Sequence, residues 1–181
     1  KTSLDLDLQE KVQEIVTSGV EENAYLNLTN GSAVVLDVST GEILAYVGSV
    51  DFFREGWGAY DVVRAYRQPG SSLKPVTYAL ALSDGMTPAT VIKDSPISIR
   101  IPGQKNYSPV NYDGRYHGEV SLRQALANSY NIPAVKVVQK VTPQRMVSLA
   151  KDMGLTSWNL TDSYGLSVTL GGKEGFVAVV T

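Results

Sequence analysis

Tyr66-Arg67-Gln68-Pro69-Gly70-Ser71-Ser72-Leu73-Lys74-Pro75 sets a serine hydroxyl and a lysine amine three positions apart, directly behind a Pro-Gly turn. A helix that starts at Ser71 or Ser72 puts Ser71 and Lys74 on one face, one turn apart and within side-chain reach. The flanks favour that start. Pro69-Gly70 breaks what precedes, serine is a preferred N-cap, and Pro75 falls in the first turn, where backbone N–H groups lack intrahelical partners. The expected helix covers 71–83 and stops near Asp84-Gly85.

Both residues are needed for one chemistry. A serine hydroxyl is a weak nucleophile until a neighbouring base takes its proton, and lysine is such a base only when neutral. Its ordinary pKa of about 10.4 must fall, which burial achieves. A helix N-terminus disfavours the ammonium, favours the alkoxide and supplies N–H donors for an oxyanion.

The pattern alone is cheap, because it recurs at Ser148-Leu149-Ala150-Lys151. That copy lies inside Pro143-Gln144-Arg145-Met146-Val147-Ser148-Leu149-Ala150-Lys151-Asp152-Met153, where Met146, Leu149, Ala150 and Met153 mark the apolar face of an ordinary surface helix. A partner motif distinguishes the first copy. Ser129-Tyr130-Asn131 follows a helical stretch and precedes Ile132-Pro133. A hydroxyl and an amide so spaced in a turn between helices can point into one cleft, the first relaying a proton and the second bonding a carbonyl. Such turns also serve simply as caps, and Ser157-Trp158-Asn159 repeats the tripeptide.

Taken together, the two motifs and their surroundings resemble the transpeptidase domain of class A penicillin-binding proteins, whose superfamily shares Ser-x-x-Lys, Ser-x-Asn and Lys-Thr-Gly motifs. Thr2-Ser3-Leu4-Asp5-Leu6-Asp7-Leu8-Gln9 looks like the opening of such domains, and Ala33-Val34-Val35-Leu36-Asp37-Val38-Ser39-Thr40-Gly41-Glu42-Ile43-Leu44-Ala45-Tyr46-Val47-Gly48 like their first hairpin. Asn111-Tyr112-Asp113-Gly114 and the run from Gly118-Glu119-Val120 to Asn131-Ile132-Pro133-Ala134-Val135 resemble the approach to the second motif. The third motif is missing. Lys173-Glu174-Gly175 is the nearest string, but it lacks the hydroxyl and follows Asn131 too soon. The chain therefore reads as a partial domain, without the C-terminal strands of the sheet, and is expected to be inactive by itself.

The resemblance implies an α/β fold, an antiparallel sheet flanked by helices plus a mostly helical subdomain. It implies acyl transfer in two steps: Ser71, activated by Lys74, attacks the D-Ala-D-Ala bond of a stem pentapeptide, and an amine from a second stem peptide resolves the acyl-enzyme. Ser129 would carry the proton to the leaving amine, Ser72 and Asn131 would contact substrate, and no cofactor is needed. β-Lactam antibiotics would acylate Ser71. The implied setting is the extracytoplasmic face of a bacterial membrane, in a parent protein with a membrane anchor and a glycosyltransferase domain, near other cell-wall synthesis proteins. Two other readings stay open: a serine β-lactamase or DD-carboxypeptidase, in which water resolves the acyl-enzyme, and a non-catalytic β-lactam-binding fragment.

Composition limits the choices. The 181 residues suffice for one domain or most of one, 43% are hydrophobic, and 16 basic against 18 acidic residues leave a net charge of -2. That balance does not suggest a nucleic-acid partner. With no cysteine and one histidine, a disulfide or cysteine nucleophile is excluded and a metal site is disfavoured. A Ser-His-Asp triad could only be built on His117, for which a place in a loop near the cleft or on the surface is the simpler expectation. No 18-residue apolar run is present.

Periodicity predicts an amphipathic helix over 5–22, with Leu8, Val12, Ile15 and Val16 on one face. Strands are expected over 32–38 and 43–50, joined by Ser39-Thr40-Gly41-Glu42, and apolar enough on both faces to be covered by helices on each side. An irregular passage over 52–66 follows, then the nucleophile helix, short β-like pieces over 92–109 such as Ile97-Ser98-Ile99-Arg100-Ile101, and three helical runs over 121–153. The domain organisation expected is one partial transpeptidase domain over 1–181, with its N-terminal helix and hairpin at 5–50 and its helical subdomain at 121–160. Phe176-Val177-Ala178-Val179-Val180 is a candidate further strand.

Overall fold

A computed structural model of the chain describes residues 2–101, 103, 105–155, 157 and 164–171. Lys173-Glu174-Gly175, the candidate strand at 176–180, Trp158 and Asn159 of the second Ser-x-Asn string, and the end of the expected helical subdomain lie outside the described residues. The chain divides into two compact units, one over 2–66 and the other from 67 onward. Among the described residues no helix is long and apolar enough to cross a membrane.

In the first unit, helix α1 (Leu6–Glu22) lies on a hairpin of β1 (Ala33–Leu36) and β2 (Ile43–Val47). Asp5 starts the helix, its carboxylate accepting from the Leu8 N–H at 3.0 Å while its own N–H donates to the Leu44 carbonyl at 2.9 Å. One residue thus caps α1 and ties it to β2. The Gln9 amide continues the tie, donating to the Tyr46 carbonyl at 3.1 Å and accepting from the Tyr46 N–H at 2.7 Å. Val12, Ala45 and Val47 are buried between helix and hairpin, with Leu8, Val16, Ala33 and Val35 packed around them.

The hairpin turn is organised by Asp37, whose Oδ1 accepts from the Ser39 and Thr40 N–H groups at 2.7 and 3.2 Å, with Gly41 at φ 75°. Two expectations are corrected here. Ile15 is 60% exposed, so the buried stripe of α1 is Leu8, Val12 and Val16. Both strands are shorter than expected, because Asp37 diverts the chain into the turn and the Asn30 side chain takes the Val50 N–H at 3.0 Å. Within this unit α1 covers one face of the hairpin, and Leu36 and Val38 stay exposed.

In the second unit, a 3-10 turn over Gly70–Leu73 runs straight into α2 (Lys74–Ser83). β3 (Val91–Asp94) pairs antiparallel with β4 (Gly118–Ser121), Ile92 opposite Val120 and Asp94 opposite Gly118. β3 falls at the start of the β-like stretch expected over 92–109, whereas β4 and its pairing with β3 carry no such expectation. The two strands have four residues each and β3 buries only alternate side chains, Ile92 and Asp94, which leaves little signal in Val91-Ile92-Lys93-Asp94. The β-like piece at 97–101 reduces to one bridge between Ile99 and Tyr107.

The three helical runs are α3 (Leu122–Ala127), α4 (Asn131–Val141) and α5 (Pro143–Asp152). A capping box of Ser121 and Gln124 starts α3, and Thr142, at φ 73°, makes the sharp corner between α4 and α5. Helix α2 packs on α4 and α5 through Val76, Leu80 and Ala81, in a core shared with Val137, Val138, Val141, Met146, Val147 and Ala150. Ser148 points outward, so the second Ser-x-x-Lys copy is a surface pattern. Met153, expected on the buried face, lies past the helix end and is 61% exposed.

Candidate active site

Gly70, at φ 59°, turns the chain after Pro69 into the 3-10 segment that carries Ser71 and Ser72. Neither serine caps the helix. The Ser72 hydroxyl donates to the Pro69 carbonyl at 2.5 Å, which holds the turn and directs that hydroxyl to its own backbone. The α-helix proper begins at Lys74, with Pro75 in its first turn. A second glycine fixes this corner: Gly171, at φ 63°, lies so near Gly70 that a Cβ there would overlap the Gly70 backbone.

Ser71 is exposed, and its hydroxyl has no hydrogen-bond partner among the described residues. Lys74 is the opposite, fully buried at 0% exposure. Its Nζ donates to the Ser129 carbonyl at 2.5 Å, the Ser129 hydroxyl at 3.0 Å and the Asn131 Oδ1 at 2.8 Å. Three acceptors match the three protons of an ammonium. Sequence spacing suggested a direct Ser71 to Lys74 contact; the structure turns Lys74 toward the second motif instead, because that turn offers three oxygens where Ser71 offers one.

Burial lowers the Lys74 pKa to about 8. Against its ordinary value near 10.4 this costs the ammonium about 3 kcal/mol. The surrounding core offsets that cost: each fully buried Val or Leu contributes about 1.5–3 kcal/mol, and Leu73, Val76 and Leu80 flank the lysine on the same helical run. No carboxylate forms an ion pair with Lys74 among the described residues. The amine is therefore held by neutral oxygens, with no counter-charge to oppose the desolvation that lowers its pKa.

The Ser129-Tyr130-Asn131 turn is shaped by tertiary contacts. Ser129 sits at φ 54°, a left-handed conformation unusual for a residue with a Cβ. The Ser129 and Tyr130 N–H groups donate to the Leu126 and Ala125 carbonyls at 3.0 and 2.9 Å, closing α3. Tyr130, at the cap position of α4, makes no side-chain cap. Asn111, twenty positions upstream, does so: its Oδ1 accepts from the Asn131 N–H at 2.8 Å and the Ile132 N–H at 3.3 Å. The Asn131 amide also donates to the Val110 carbonyl at 2.8 Å, which points its oxygen at Lys74.

A cleft of about 480 Å³ is lined by Ser71, Ser129, Tyr130 and Asn131 from the two motifs and by Tyr112 and Asp113 from the Asn111 loop. Ser72 is not part of that lining. The Asp113 carboxyl is held below its usual range, chiefly by the Arg115 N–H and further by His117. His117 does have a carboxylate partner, its Nδ1 lying 2.7 Å from Asp94 Oδ2, but its Nε2 faces Asp113 Oδ2 at 3.1 Å rather than a serine. A triad on His117 is thus not formed. Among the described residues no group of His, Asp and Glu side chains is arranged to hold a metal ion.

Chemically, the cleft brings together an unbonded hydroxyl, that of Ser71, and a second hydroxyl, that of Ser129, which is bonded to a buried amine of depressed pKa behind it. The loop around Asn111 stands out in the sequence, but neither the cap that Asn111 gives α4 nor the buried carboxylate of Asp94 behind it does. The signal for Asn111 was its place in Asn111-Tyr112-Asp113-Gly114; nothing in the local sequence pointed to Asp94.

Comparison with known proteins agrees with the geometry. A profile of the penicillin binding protein transpeptidase domain matches residues 31–174. Penicillin-binding protein 1A of Neisseria meningitidis serogroup B is 39% identical over 149 residues, which make up 81% of this chain and 18% of that protein. Penicillin-binding protein 1C of Escherichia coli (strain K12) is 33% identical over 174 residues, 94% of this chain and 22% of that one. The chain thus spans only a minor part of these relatives' length. The crystal structure of penicillin-binding protein 1A from Haemophilus influenzae superposes with a TM-score of 0.65 at 33% identity, covering 78% of this chain and 20% of that one. The penicillin G acyl-enzyme complex of penicillin-binding protein A from M. tuberculosis shares the fold, with a TM-score of 0.80 at 23% identity over 98% of this chain and 48% of that one.

Proposed function

The chain belongs to the penicillin-binding protein transpeptidase family, with class A proteins among its relatives, and from that premise we propose that it carries the acylation machinery of a peptidoglycan DD-transpeptidase. Ser71 Oγ attacks the carbonyl of a D-Ala-D-Ala bond, its proton passing to neutral Lys74. The Ser129 hydroxyl, 3.0 Å from Lys74 Nζ, hands a proton on to the departing D-alanine amine. The product is an ester on Ser71, which an amine from a second stem peptide resolves. Asn131 presents an amide to the donor peptide, and the Ser71 N–H, in the first turn of its helical segment, is a donor for the oxyanion. A β-lactam opens on Ser71 in the same way.

The observation that carries this reading is Lys74: buried, lowered to about 8, and bonded to Ser129 and Asn131, which line one cleft with Ser71, whose hydroxyl has no partner among the described residues. Residues 5–50, 71–83 and 121–160 are read as parts of one transpeptidase domain. Peptidoglycan stem pentapeptides and β-lactams are its ligands, and the extracytoplasmic face of a bacterial membrane is its place, alongside a glycosyltransferase domain as in class A proteins.

The test is labelling of the complete natural chain with a fluorescent penicillin. One label per chain on Ser71 is expected, lost in Ser71→Ala and kept in Ser148→Ala. A label that survives Ser71→Ala would refute the assignment.

A further inference from the structure

Asp94, the last residue of β3, is a carboxylate 1% exposed in the second unit. Its two oxygens are used unequally. Oδ2 accepts from Asn111 Nδ2 at 2.8 Å and from the His117 N–H at 3.0 Å, and lies 2.7 Å from His117 Nδ1. Oδ1 is buried with no partner among the described residues. A buried carboxylate left half-satisfied is costly to retain, and both side chains it holds lead to the Ser129-Tyr130-Asn131 turn.

The first path runs through Asn111. Its Nδ2 is shared between Asp94 Oδ2 and the Arg115 carbonyl, each at 2.8 Å, which fixes the flip of the amide and aims Oδ1 at the Asn131 and Ile132 N–H groups. The second runs through His117, whose ring stacks on Tyr130 with centroids 3.9 Å apart and planes at 15°. A carboxylate only accepts, so Asp94 keeps the proton on Nδ1; the second contact, to Asp113, is a hydrogen bond only when Nε2 is also protonated. The turn held by these two paths supplies all three oxygens that bind Lys74.

We infer that Asp94 is a positioning residue for acylation: through Asn111 to the α4 N-terminus and through His117 to Tyr130, it sets the geometry in which Ser129 and Asn131 hold the Lys74 amine. The inference rests on the Ser71 acylation reading above. It predicts that loosening the turn slows the chemical step rather than the capture of ligand, since misplacing reacting groups by about 1 Å costs on the order of 100-fold.

The experiment is stopped-flow acylation of the complete natural chain by a fluorescent penicillin, separating the first-order acylation constant from the dissociation constant of the initial complex, with Tm recorded for every variant. Asp94→Ala and Asn111→Ala should each lower the acylation constant about 10–100-fold and leave the initial dissociation constant within about threefold. The double variant should fall by less than the product of the two single losses, because the Asn111 path is common to both substitutions. Asp94→Asn, which keeps an oxygen for the Asn111 and His117 donors, should recover most of the rate. The nitrogen NMR signals of His117, assigned by their loss in His117→Ala, should show its neutral ring protonated on Nδ1. Folded Asn111→Ala with an unchanged acylation constant, additive losses in the double variant, or an Nε2-protonated neutral ring would overturn the inference while leaving acylation at Ser71 standing. If Asp94→Ala does not fold, Asn111→Ala and His117→Ala carry the comparison. A wild-type chain that takes no label on Ser71 overturns this inference and the reading beneath it together.

Discussion

With its pKa lowered to about 8, Lys74 is neutral in only about 1% of molecules at pH 6 and about half at pH 8. Acylation through a neutral lysine base should therefore accelerate about 50-fold over those two pH units and level off above about pH 9. A lysine at its ordinary value near 10.4 would instead give a rate still climbing tenfold per unit through pH 9. The structural cause is burial: Lys74 is 0% exposed and its partners are neutral oxygens. Lys74→Arg completes the test, because a guanidinium cannot deprotonate, and loss of a general base lowers rates by about 10²–10⁴-fold. Stopped-flow measurement of penicillin acylation in the complete natural chain between pH 5.5 and 10 reads both. A profile flat from pH 6 to 8, or a Lys74→Arg variant within tenfold of wild type, would refute lysine as the base.

The same burial has a signature in stability. The folded pKa of Lys74 lies below the unfolded one, so the penalty of about 3 kcal/mol is present in full below about pH 8 and is relieved as pH rises toward 10. Chemical denaturation should show wild type gaining stability relative to Lys74→Met across that window, and a constant difference would contradict it. Gly171→Ala should impair acylation, because its Cβ would collide with the Gly70 backbone one residue before Ser71 and φ 63° disfavours alanine; labelling kinetics at unchanged protein concentration will show it. Thr77→Val should lower stability by about 1–3 kcal/mol, since it leaves the buried Thr169 hydroxyl without its 2.7 Å partner, and thermal unfolding measures the loss.

The strongly periodic and punctuated stretches were legible. Leu8, Val12 and Val16 announce the buried stripe of α1, Gly41 its neighbouring hairpin, and the Pro143 run its surface helix, because these features depend on neighbours within a turn or two of the chain. β3 was visible only as part of a β-like stretch over 92–109 and β4 not at all, since four-residue strands with one lysine, one aspartate and one glutamate carry no clear alternation, and their pairing joins Ile92 to Val120 across a long loop.

At the site the division is sharper. The sequence by itself determined which residue types are available: a serine and a lysine three apart behind Pro69-Gly70, and a serine and an asparagine around Tyr130. It could not tell where the lysine points. Tertiary structure decided that Lys74 turns from Ser71 to Ser129 and Asn131, that burial lowers its pKa, and that Asn111 rather than a local residue caps α4. The physical reason is common to all three. Desolvation and long-range hydrogen bonds depend on groups far apart in the chain, and only the packed fold brings Asp94, Asn111 and Asn131 to one place.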